Sequence, residues 1–171
     1  MEAGAPITYF TKAIYVRNER RIMEAIIFIG LQASGKSTFF KQRFFDTHVR
    51  INLDMLKTHA RENMLLQACL GSGQPFVVDK MNYTIGHRRR YIESARAAGF
   101  RVIGYYFQSR VSECLARNAA RSGPRRIPDA GILSIISQLE RPSPAEGFDE
   151  LYHVHIGERG KFVVTPWRED N

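Results

Sequence analysis

Short apolar runs alternate with longer stretches whose apolar positions recur at helical spacing, and this rhythm continues from about residue 24 onward. The run Ala25-Ile-Ile-Phe-Ile29 predicts a buried strand, 25–29, followed by a helix at 37–46, a short strand at 49–53 and a helix at 54–70. A turn at Gly71-Ser-Gly-Gln-Pro75 leads to a strand at 76–79, a helix at 86–98 stopped by Gly99, a strand at 101–106 and a helix at 110–119. Residues 119–130, rich in Gly, Pro and Arg, suit no core element and read as a mobile basic segment. A helix at 130–140, a loop from Arg141 with Pro142 and Pro144, a strand near 150–154 and a further edge strand at 162–165 complete the pattern. Alternating strands and helices predict an α/β fold: a central parallel sheet of about five strands with helices on both faces. Residues 1–22 pattern weakly and end in Arg17-Asn-Glu-Arg-Arg21, so the expectation is an N-terminal arm, then one domain over 23–171.

The first strand runs into Gly30-Leu-Gln-Ala-Ser-Gly-Lys-Ser-Thr38, a full match to G-x-x-x-x-G-K-[ST], with a helical run behind it. Each fixed position has a physical task. Backbone N–H groups of Gly30, Ala33, Ser34 and Gly35 can curl around phosphates, Lys36 reaches the β and γ phosphates, and the Ser37 hydroxyl meets Mg²⁺, with Thr38 opening the helix. The helix adds its positive N-terminal end. The pattern therefore predicts a P-loop NTPase fold that binds ATP and Mg²⁺.

Composition adds one asymmetry. At 171 residues, with 44% hydrophobic and 25% charged positions, the chain suits one globular domain. Its apolar runs are far shorter than a bilayer span and its N-terminus lacks a signal-peptide pattern, so the expectation is a cytoplasmic protein without membrane contact. Cys69 and Cys114 read as reduced core thiols; His153 and His155 share one face of a strand, read as solvated rather than as a metal pair. The net charge is +8, and the stretch 87–126 holds ten arginines against Glu93 and Glu113, a local excess of eight. Such a stretch serves either nucleotide phosphates or a polyanion, most simply nucleic acid.

Three further features narrow the chemistry. Asp54, after the second strand, reads equally as a general base for a hydroxyl acceptor or as a helix N-cap. Asp79 ends the third strand in Val77-Val-Asp79, where a carboxylate can hold Mg²⁺ or its water shell. Arg117 and Arg121 stand four apart on one helix face, leading into the basic segment as a lid over about 117–130. A GTPase base-reading motif of the N/T-K-x-D type is absent from the sequence, and a motor ATPase needs a longer chain; kinase-type transfer remains.

With these motifs in place the chain resembles the P-loop polynucleotide 5′-hydroxyl kinases over about residues 25–155. The resemblance rests on the P-loop, Asp54, Val77-Val-Asp79-Lys-Met-Asn82, the run Arg88-Arg-Arg90, Arg117-Asn-Ala-Ala-Arg121 and Ile127-Pro-Asp-Ala130. It implies that Lys36, Arg117 and Arg121 contact ATP, that Ser37 and Asp79 serve Mg²⁺, and that Asp54 deprotonates the 5′-OH. It also implies an acceptor surface of Lys57, Arg61, Asn82, Arg88 and Arg89 for the 5′ end of DNA or RNA. Lys57 departs from the arginine common at that position and offers a point charge, not a bidentate fork. Two alternatives stay open: a kinase of a small hydroxyl compound such as a nucleoside, sugar, antibiotic or nucleotide sugar, and an ATP-binding module without transfer chemistry.

Overall fold

The computed structural model describes residues 23–123 and 126–169. The expected arm at 1–22 and two positions of the expected lid lie outside the described residues. The elements are β1 (Glu24–Ile29), α1 (Lys36–Arg43), β2 (Val49–Ile51), α2 (Leu53–Leu56), α3 (His59–Ser72), β3 (Phe76–Val78) and α4 (Ile85–Ala97). They continue with β4 (Arg101–Phe107), α5 (Val111–Ala119), α6 (Asp129–Ile136), β5 (Glu150–Ile156) and β6 (Phe162–Pro166). The strands form one six-stranded sheet in the order β2-β3-β1-β4-β5-β6. Five strands run parallel, and β6 pairs antiparallel with β5.

The near-continuous apolar sequence of β1 follows from its central place, because both faces of the strand are covered. Ala25, Ile27 and Ile29 join Leu66 and Cys69 of α3 and Tyr91, Ile92 and Ala95 of α4 in one core layer. Ile26 and Phe28 face the other way, against Phe39 and Phe40 of α1 and Ile103 and Phe107 of β4. Rings in this second layer meet edge to face, with Phe28 and Phe107 centroids 5.1 Å apart. A small third cluster, Leu31, Cys114 and Ile132, ties α5 and α6 to the P-loop. Both cysteines are buried free thiols.

Two expectations need correction. The continuous helix at 54–70 breaks into α2 and α3 at Lys57, whose φ of +68° is a left-handed turn; Thr58 then caps α3 by accepting from Arg61 N. His153 is buried rather than solvated, because β5 is flanked by both β4 and β6; burial, then His155, holds its imidazole below the usual value.

Candidate active site

The C-terminal ends of β1, β2 and β3 converge on one crevice, where an open parallel sheet places its ligands. The P-loop leaves the innermost strand. Gly35, at φ +102°, leaves no room for a side chain: an added Cβ would stand 2.9 Å from the Phe162 ring of β6. Ser109 Oγ accepts from Leu31 N at 3.0 Å, and Met81 O accepts from Gly30 N at 2.9 Å, so neighbouring strand ends anchor the loop. Arg117 Nε donates to Ala33 O at 2.8 Å, which fixes α5 against the same loop.

Lys36 folds back over this frame. Its Nζ donates to Gly30 O at 2.9 Å, to Leu31 O at 2.5 Å and to Ser34 Oγ at 3.3 Å. Burial lowers its pKa to about 8, with Asp79 and Cys114 pulling it up and Arg121 pushing it down. Ser37 Oγ donates to Asp79 Oδ2 at 2.9 Å, joining the hydroxyl and the carboxylate that the sequence assigned to Mg²⁺. A hydroxyl with a single carboxylate suits Mg²⁺, which keeps several waters and takes phosphate oxygens as further ligands. Among the described residues no group of three or more His, Cys, Asp or Glu side chains stands ready for a metal.

Asp54 is the second residue of α2, and the cap of that helix is Asn52, whose side chain accepts from Met55 N at 3.1 Å. Asn52 Nδ2 donates in turn to Asp79 O at 2.7 Å, so β2, β3 and α2 meet in a fixed corner. The N-cap reading of Asp54 therefore fails, and Asp54 is among the residues that line two adjoining cavities. The smaller, about 160 Å³, is also lined by Lys36, Ser37, Thr38 and Arg121. The larger, about 380 Å³, is walled by Tyr83, His87, Arg90, His59 and Lys80.

The expected acceptor residues scatter. Asn82 lines the larger cavity, but it is buried and its Nδ2 donates to Phe28 O at 2.8 Å. Arg88 is fully buried and grips no acceptor: its Nε and Nη2 donate to the Glu146 carboxylate at 2.6 and 2.8 Å, and Nη1 to Asn82 O and Glu140 O. Arg89 points outward in an exposed pair with Glu93, and Lys57 and Arg61 line neither cavity. Arg90, stacked 4.9 Å over the Tyr91 ring, is the member of the run that reaches the crevice.

Three features escape local patterning. Glu62, fully buried, takes hydrogen bonds from Tyr91 Oη and, at 2.9 Å, from Lys80 Nζ, with His59 Nδ1 3.0 Å away. Burial alone would raise the Glu62 carboxyl, yet these partners hold it below the usual range, while burial and Glu62 push the Tyr91 phenol up. Asn118 closes the base of the basic segment, with Nδ2 on Ile127 O and Asp129 and Oδ1 accepting from Ile127 N. Arg50 sits against Asp79 and Ser37. The cap Asn52 did carry a local signal, a preferred N-cap residue ahead of a helix.

A family model described as an AAA domain matches residues 53–142, just over half of the chain, beginning beyond the P-loop. A bifunctional polynucleotide phosphatase/kinase of Schizosaccharomyces pombe is 28% identical over 137 residues, 77% of this chain; the chain spans about a third (33%) of that relative's length. Among solved structures, the Pnkp1/Rnl/Hen1 RNA repair complex matches with TM-score 0.59 and 19% identity, over 72% of this chain and 46% of that one. A gluconokinase from Sinorhizobium meliloti 1021 matches with TM-score 0.57 and 20% identity, over 81% of this chain and 86% of that one. At such identities the two structures share the fold. No helix among the described residues is long and apolar enough to cross a membrane.

Proposed function

Because the chain belongs to the AAA domain family, we propose that it is an ATP-dependent kinase whose acceptor is the 5′-hydroxyl end of DNA or RNA. The observation that carries this reading is Asp54, which lines both cavities and does not serve as the cap of α2. A base in that position takes the proton from an acceptor hydroxyl held in the larger cavity as the oxygen attacks phosphorus in the smaller one. Lys36 and Arg121 offset the charge on the phosphoryl group in flight, and the P-loop amides orient the triphosphate. Ser37 and Asp79 would hold Mg²⁺, which supplies charge neutralisation between the phosphates.

The nucleic-acid acceptor is supported by the cationic and aromatic wall of Tyr83, His87, Arg90 and Lys80, by the basic stretch, and by the kinship to a polynucleotide phosphatase/kinase. A small hydroxyl compound is the second reading, favoured by a cavity of about 380 Å³, which suits one sugar or nucleoside. The deciding assay follows labelled γ-phosphate from ATP to single-stranded and duplex 5′-OH oligonucleotides of DNA and RNA, beside nucleosides and gluconate. Label on oligonucleotide ends, lost about 10²-fold or more in Asp54→Asn with ATP affinity retained, is the expected outcome. Label on small compounds alone overturns the nucleic-acid reading, and an Asp54→Asn variant that transfers normally overturns the base.

A further inference from the structure

Asp79 is buried to 2% exposure, and an ionised carboxylate at that depth requires a countercharge. Arg50 supplies it from β2: Nε donates to Asp79 Oδ2 at 2.9 Å, Nη2 reaches the same oxygen, and Nη2 also donates to Ser37 Oγ at 3.0 Å. The guanidinium is held from behind, 5.3 Å over the Phe40 ring and 3.3 Å from Met55 Sδ. It thus engages the two side chains, and on Asp79 the very oxygen that hydrogen-bonds Ser37, from which the metal site is built.

We propose that Arg50 and a divalent cation compete for Asp79 Oδ2, so that the metal enters with the nucleotide and not ahead of it. The inference rests on reading Ser37 and Asp79 as the metal's protein ligands. Mg²⁺ gives up its water shell reluctantly, and one carboxylate with one hydroxyl does not displace a guanidinium anchored in the same chain. Phosphate oxygens of an arriving triphosphate add the missing ligands and tip the exchange. Arg50 has room to leave, since β2 is an edge strand and the side chain is 21% exposed. Its removal would expose Asp79 to the metal and leave the buried carboxylate without a hydrogen-bonded countercharge, with Lys36 as a remaining cationic neighbour.

The test needs neither acceptor nor turnover: thermal unfolding of wild type, Arg50→Ala and Arg50→Ala/Asp79→Asn across free Mg²⁺ up to about 10 mM, without nucleotide. The wild-type Tm should stay level. Arg50→Ala should melt about 5 °C or more lower and recover by several degrees as Mg²⁺ rises. The double variant, with no buried charge to neutralise, should lose that recovery. Should Arg50→Ala fail to fold, Mn²⁺ binding by electron paramagnetic resonance in wild type and Arg50→Gln reads the same exchange, with metal bound by the variant only. Equal Mg²⁺ response in wild type and variant, or an Arg50→Ala protein indifferent to Mg²⁺, overturns the proposal. Because no transfer is read, failed phosphorylation with intact Mg²⁺ recovery would strike the acceptor reading alone, and the converse would strike this inference alone.

Discussion

Lys36 shows how one residue couples nucleotide binding to pH. Its ammonium is buried among carbonyls, and burial brings its pKa to about 8. A triphosphate binds the charged form and raises that pKa again, so binding above pH 8 must take up a proton. ATP affinity should therefore be level below about pH 8 and fall up to tenfold per unit above it. Calorimetry in buffers of different ionisation heat checks both the fall and the proton uptake; constant affinity through about pH 9.5 would sink the prediction. The residues of the phosphate site were legible because the P-loop is local, its spacing being its geometry. Asp54 was half legible: the sequence left base and cap equal, and Asn52, two positions upstream, takes the cap, while the base remains the proposed role. Glu62 and Arg50 were not legible, since neither the buried carboxylate nor the half-buried guanidinium has a local sign when its partners, Tyr91, Lys80 and Asp79, arrive from distant parts of the chain.

At the scale of elements, α4 sorts three consecutive arginines that the sequence could only group. Successive positions on a helix stand about 100° apart, so one of the run faces the core, one solvent and one the crevice. Which is which depended on Glu146, 58 residues away, in the loop before β5. Arg88→Ala should cost about 3–5 kcal/mol in urea unfolding, because it strands the buried Glu146 carboxylate, whereas Arg89→Ala should stay within about 0.5 kcal/mol. Equal effects from the two would mean that the Glu146 pairing does not hold the loop. The break at Lys57 was hidden for a related reason. Neither Gly nor Pro marks it, and its left-handed φ is imposed by two helices that each bring their own cap, Asn52 and Thr58.

Across the whole molecule the charge excess bears on the proposed nucleic-acid acceptor. If Arg90 and the surrounding arginines meet about four phosphates of a single strand, log affinity should fall against log salt with a slope near −3. Oligonucleotide binding measured between about 50 and 200 mM salt tests this, and a flat response would assign the basic stretch to ATP alone. The sheet order adds something of another kind. The P-loop hangs from β1, hydrogen-bonded on both sides, while Asp54 follows β2, three residues long at the edge of the sheet. Amides of a central strand open only with the whole domain, and those of a short edge strand open locally. The P-loop and the proposed base are thus rooted in parts of the fold with different tolerance for change. On the proposed reading, substitutions around β2 and α2 would alter how Asp54 meets its acceptor while β1 keeps its hold on the triphosphate.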